Sequence, residues 1–236
     1  MRRTVSVLSS TKGALTIYGF PLSQPTRSVL MLCRENNIAH TLVNVDALKG
    51  DTKMPEFRQK NPMGMVPYLD DDGFGLAESA AILQYISEKH QLHQWYPADL
   101  QACARVNQWL HWHHSNTRNS TTKLLLASFW SSKDPKAQEE KLARGRKLVA
   151  KSLATLEHTF STNPSMRFLA NTQSPSIADL LVIPELDQQS ERAFNLVDFN
   201  PYPHVMRYMR DVSEAVKSYE EIFQPVMDTA AKRGHK

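Results

Sequence analysis

The chain has 236 residues, of which 41% are hydrophobic and 22% charged, with a formal net charge of +4. That is enough apolar material for one large or two small packed domains, which excludes a disordered chain, and no apolar run approaches the ~18 residues that a membrane-spanning helix needs. Two cysteines, Cys33 and Cys103, exclude a disulfide framework, a Cys-rich zinc site and a C-x-x-C dithiol enzyme; they fit a reducing, cytoplasmic compartment, and the absence of a dense basic stripe argues against a nucleic-acid partner.

Residues 1–13 read as an N-terminal extension. Residues 1–34 hold no Asp or Glu, and Arg2, Arg3 and several serines open the chain, the composition of a transit peptide. Organelle targeting therefore stands as the alternative to a cytoplasmic location. Residues 14–90 alternate strand-like and helix-like patterns. Ala14–Tyr18 reads as a strand ending at Gly19, Gln24–Asn36 as a helix with Val29, Leu30, Leu32 and Cys33 on an apolar face, and His40–Val45 as a second strand. Lys49–Lys60 is polar, with weak helix character at Glu56–Gln59. Val66–Leu69 and Phe74–Leu76 are short strands joined by Asp70-Asp71-Asp72-Gly73, a hairpin signal, and Ser79–His90 is an amphipathic helix. A right-handed crossover makes the first two strands parallel neighbours and leaves the last two antiparallel, a small mixed sheet flanked by helices.

Residues 91–99, with Trp95-Tyr96-Pro97, read as a linker, and residues 100–236 carry almost no strand signal. Leu100–Arg118 and Pro135–Phe160 are long helical patterns. Ser176–Gln188 is a helix apolar enough to be buried on all sides. Pro203–Ser213 and Tyr219–Lys232 are shorter, the last with an expected interruption at Pro225. The expected fold is thus α/β followed by all-α.

Three helix starts and turns carry chemistry. Leu22-Ser23-Gln24-Pro25-Thr26-Arg27 follows a strand and opens a helix; Ser23 suits an N-cap, and a hydroxyl at a helix N-terminus can also donate to an anion such as a thiolate. In Asn61-Pro62-x-Gly64-x-Val66-Pro67, Pro67 is a candidate cis-proline that would expose the Val66 backbone to an extended peptide. Glu78-Ser79 puts a capping serine and a carboxylate together, a pairing that suits the two charges of an amino-acid head. Each of these alone reads better as a plain cap or an edge-strand proline.

Together, Leu22–Arg27, Glu56–Leu69, Glu78–Ile82, Trp95-Tyr96-Pro97 and Ser176–Leu180 resemble the cytosolic glutathione transferases. Trp112-His113-His114-x-Asn116-x-Arg118 is similar to the theta class. The resemblance covers about residues 14–190. It implies a thioredoxin-like glutathione-binding domain, an all-helical domain that holds the electrophile pocket, and a homodimer. It also implies that Ser23 activates the thiol of glutathione, a co-substrate. Gln24, Met65, Val66 and Pro67 would meet the tripeptide, Glu78 and Ser79 its γ-glutamyl end, and Thr52 and Lys53 its glycyl end, where the theta pattern often has a histidine. Arg118 would line the electrophile pocket.

The energetics suit that role. Lowering a thiol pKa from about 8.5 by roughly two units needs about 2.7 kcal/mol. A hydrogen bond to a charged group supplies about 1.5–3 kcal/mol and a helix N-terminus about 0.3–1 more, so no protein base is required. The expected substrates are soft electrophiles such as alkyl halides, epoxides or organic hydroperoxides. The competing readings are a non-catalytic binding module on the same fold and a glutathione-dependent isomerase or dehalogenase. Other features read as structural. Ser176-x-x-Asp179 is a capping box and Cys33 is core. Met63 and Met65 flank a turn and suit either pocket or core. His111 and His114 share a helix face without a carboxylate or cysteine at ligand spacing, so no metal is expected.

Overall fold

The computed structural model describes residues 14–130 and 132–234; the N-terminal extension lies outside the described residues. Four strands, β1 (Leu15–Gly19), β2 (His40–Asn44), β3 (Tyr68–Asp71) and β4 (Phe74–Ala77), form one sheet in the order β2-β1-β3-β4. β1 pairs parallel with β2 and antiparallel with β3, with Ile17 opposite Leu69, and β4 pairs antiparallel with β3. The mixed sheet is the one anticipated. The hairpin is tighter than expected: Asp70 and Asp71 belong to β3, and only Asp72 and Gly73 turn, at φ 50° and 92°. Two successive positive φ values match the right-handed twist of the paired strands, and Asp and Gly tolerate them.

Helix α1 (Gln24–Glu35) crosses between β1 and β2, α2 (Pro55–Lys60) follows two short 3₁₀ turns, and α3 (Ser79–Lys89) follows the hairpin. A side chain at Gly19 would meet Thr26 at 2.6 Å, so the end of β1 can lie against the start of α1 only without a Cβ. Ser79 does not cap α3. Glu78 holds the cap position at φ 70°, Ser79 is the first helical residue, and no side chain among the described residues caps that end. The sharp backbone bend at Glu78 moves the helix start one residue earlier.

The helical part contains α4 (Leu100–His113), α5 (Asn119–Phe129), α6 (Pro135–Thr162), α7 (Ile177–Asp187), α8 (Pro203–Ala215) and α9 (Tyr219–Arg233). One helix more is present than the pattern indicates. The path does not end at Arg118: a π turn over His114–Arg118 carries it into α5. The sequence around Ser115–Thr122 is a run of Ser, Asn and Thr, poor helix formers because their side chains compete for the backbone. Here they bond the helix's own carbonyls: Asn116 Nδ2 donates to Trp112 O at 2.8 Å and Ser120 Oγ to Thr117 O at 3.1 Å. Pro225 does not interrupt α9: the helix runs from Tyr219 to Arg233 with Pro225 inside it, at the cost of the one hydrogen bond its missing N–H would have given to Glu221 O.

Helix α7 is the hub. All of its residues are buried, and it packs on α1, α3, α4 and α8. The linker is fixed to it: Ile177 N–H donates to Trp95 O at 2.9 Å, and Trp95 Nε1 donates to Asn36 Oδ1 at 3.2 Å. Cys33 is core as expected, and burial pushes its thiol up to about 12.

His113, buried at the end of α4 with Nδ1 2.7 Å from Thr117 Oγ1, is held down to about 3 by burial, with Arg118 and His114 adding to the effect. An unfolded chain takes up this proton below pH about 6.5, and the folded protein refuses it until about 3. The stabilisation is therefore complete above pH 6.5 and is lost as the pH falls toward 3. We expect this group alone to cost about 2 kcal/mol of unfolding free energy at pH 5 relative to pH 7.5. Urea titrations of the wild type and His113→Gln check this. Equal acid sensitivity of the two proteins would refute it.

Candidate active site

A cavity of about 220 Å³ lies between the sheet-containing part and the helical part. One side is built by the end of β1, the start of α1 and the turn before β3. The other is built by α5, the end of α7 and the last turns of α9. Its wall includes Ser23, Gln24, Thr52, Met65, Val66 and Arg118 of the expected site residues. Lys53 is exposed and off this wall, Pro67 is buried beneath it, and Glu78 and Ser79 stand at the start of α3 outside it. Met63 and Met65 are both exposed, so neither is core.

Ser23 is 6% exposed and is the N-cap of α1. Its Oγ accepts from Thr26 N–H at 3.3 Å, and no described residue takes the hydroxyl proton. One lone pair caps the helix while the O–H can point at the cavity, so the capping and donating readings of Ser23 are compatible. The Val66–Pro67 peptide is cis. Buried Asn61 shapes the turn before it, donating to Met65 O at 2.8 Å and accepting from Met63 N–H at 3.2 Å. The N–H and C=O of Val66 take no hydrogen bond among the described residues, so both can pair with an extended ligand.

Beneath the wall is a polar network that joins elements far apart in the chain. Arg118 Nη1 donates to Gln24 Oε1 at 3.0 Å and to Glu185 Oε1 at 3.1 Å. Glu185 is 1% exposed; burial pushes its carboxyl up and Arg118 opposes that shift. Arg27, 1% exposed, donates to Pro21 O at 3.1 Å, Pro184 O at 3.2 Å and Gln188 Oε1 at 2.7 Å. Burial lowers its pKa to about 10, which leaves it charged at neutral pH.

Two family models match the chain, the glutathione S-transferase N-terminal domain over residues 17–94 and the C-terminal domain over residues 120–215. A curated relative, glutathione S-transferase theta-2 of Rattus norvegicus, is 34% identical across 94% of this chain and 91% of its own length. The chain belongs to the glutathione S-transferase family. Among solved structures, human glutathione S-transferase T1-1 in its apo form superposes with a TM-score of 0.81 at 32% identity, covering 92% of this chain and 91% of that one. Human glutathione transferase theta-2, in complex with glutathione and an unknown ligand, gives 0.80 at 33% identity, covering 94% and 93%.

The thioredoxin-like domain and helical domain of the transferase are thus those the resemblance implied. Sequence reasoning missed most of the helical half of the cavity. Leu125, Phe129, Trp130, Phe194, Gln188 and Arg233 line it. Arg233 stacks over the Phe129 ring at 4.2 Å. No local motif marks these residues; a full helical pattern across residues 119–129 would have found the first two. His114 has no cluster of ligands around it: Nε2 lies 3.5 Å from Glu78 Oε2, and no group of three metal-ligating residues occurs among the described residues. No helix among them is long and apolar enough to cross a membrane.

Proposed function

We propose that the protein is a theta-type glutathione transferase that binds glutathione as a thiolate and directs its sulfur at small soft electrophiles. The observation that carries this reading is the Ser23 hydroxyl, on the cavity wall at the amino end of α1 with its proton uncommitted. The Val66 backbone pairs with the cysteinyl part of glutathione next to cis-Pro67 and Met65. Glu78 and Ser79 hold the γ-glutamyl end, and Thr52 and Lys53 the glycyl end. Gln24, held by Arg118, borders the sulfur position.

Ser23 is the donor and glutathione the nucleophile. With an alkyl halide, an S–C bond forms and the halide leaves. With an epoxide, an S–C bond forms as the C–O bond breaks, and the alkoxide takes a proton from solvent. With a hydroperoxide, the thiolate attacks the distal oxygen, the O–O bond breaks and the alkoxide is protonated to an alcohol; a second glutathione converts the sulfenic acid to the disulfide and water. The same reading makes the protein a cytoplasmic homodimer with a detoxifying role.

Thiolate absorbance of glutathione bound to the wild type tests this. We expect titration roughly two units below the ~8.5 of a free thiol. Titration at the ordinary value, with no turnover of halide, epoxide or hydroperoxide, would instead make the protein a non-catalytic module.

A further inference from the structure

We propose that Gln188 is a specificity-determining residue that donates an amide hydrogen bond to the oxygen atom departing from the electrophile. The site therefore favours substrates that leave through oxygen, such as hydroperoxides and epoxides, over those that leave as halide. The inference rests on reading the cavity as the electrophile site.

The orientation of this amide follows from chemistry. Gln188 closes α7, is 4% exposed and lines the cavity. The end of its amide facing Arg27 lies 2.7 Å from Nη2. A guanidinium has five donors and no acceptor, so that end must be the carbonyl oxygen. The other end is then Nε2, which donates to no described residue and is not fully buried, so it is open to a ligand.

The anchor is firm. Arg27 is buried, and its other bonds to the Pro21 and Pro184 carbonyls fix the guanidinium between α1 and α7. Arg27 N–H also bonds Ser23 O at 3.0 Å, so the element that carries the Ser23 hydroxyl and the one that carries Gln188 are locked together. The cavity wall that Gln188 shares is largely apolar, with Leu22, Leu125, Phe129, Trp130 and Phe194. A donor with no protein acceptor is available to a ligand, and it stabilises an oxyanion more than a weakly accepting halide. In the reactions above, negative charge develops on the epoxide or alkoxide oxygen as the C–O or O–O bond breaks. Ser23 faces the incoming sulfur; Gln188 faces the outgoing oxygen.

The test compares kcat/KM with glutathione for cumene hydroperoxide, an aryl epoxide and a primary alkyl iodide. In Gln188→Met we expect the ratio of each oxygen substrate to the iodide to fall roughly 5- to 30-fold. If loss of the Arg27 partner prevents folding, Gln188→Glu keeps an acceptor for Arg27 while removing the donor, and the same fall in ratio is expected. Equal losses on all three substrates, or none, overturn the inference and leave the transferase reading intact. A wild type that turns over none of the three overturns both.

Discussion

Replacing Ser23 with alanine is expected to lower kcat/KM for conjugation roughly 10- to 150-fold while glutathione binding stays within a few-fold. The estimate is the worth of one hydrogen bond to a charged partner, about 1.5–3 kcal/mol. The remaining helix N-terminus still favours a thiolate, so activity falls without vanishing. Ser23 also caps α1 through Thr26 N–H, so the same change costs about 1 kcal/mol of stability. Ser23→Gly separates the two roles, because glycine is nearly as good a cap as serine and has no hydroxyl. We expect Ser23→Gly to be as slow as Ser23→Ala but closer to wild type in thermal stability. The bound thiol should titrate about one to two units higher in both. If either variant retains full turnover, Ser23 is a cap and another group holds the sulfur.

The second large effect is on folding. Asp179→Ala is expected to cost about 3–5 kcal/mol, a fall in Tm of roughly 6–20 °C. Asp179 is fully buried at the start of α7. Its Oδ1 accepts from Leu169 N–H at 2.8 Å, and its Oδ2 from Ser176 N–H at 2.7 Å and Ser176 Oγ at 2.8 Å. Burial still pushes the carboxyl up to about 6, so these bonds only partly offset desolvation. Alanine leaves two backbone N–H groups buried without acceptors, at about 1–3 kcal/mol each, and opens the capping box. Ser176→Ala removes only the donor to Asp179 and the acceptor of Ala178 N–H, and should cost about 1 kcal/mol. Calorimetry of the two variants checks the order; an Asp179→Ala protein within 1 kcal/mol of wild type would refute it. Because α7 also presents Glu185 and Gln188, partial loss of this helix would lower activity without any change at Ser23.

The features legible in the chain share a cause. Ser23, Asn61, Asp72-Gly73 and the Ser176–Asp179 box act through hydrogen bonds and φ values set within a few residues, so their spacing alone reports them. Where the local signal conflicts with packing, the reading shifts. Ser79 has the right identity for a cap, but the bend at Glu78 takes that position. The polar run Ser115–Thr122 has the composition of a loop, yet it is helical because its side chains bond the carbonyls of the widened turn and α6 packs along α5.

The sequence by itself determined the two-part architecture, the helix starts that can hold an anion, and the family, since each is written in short-range patterns of caps, turns and apolar periodicity. Tertiary structure alone decided what stands opposite Ser23. Gln24 meets Arg118, Arg118 meets Glu185 and Arg27 meets Gln188 across separations of 94, 67 and 161 residues. Such pairings follow from how α7 packs against α1 and the π turn, and no spacing along the chain encodes them. The chemistry of the sulfur is local, and the choice of its target is not.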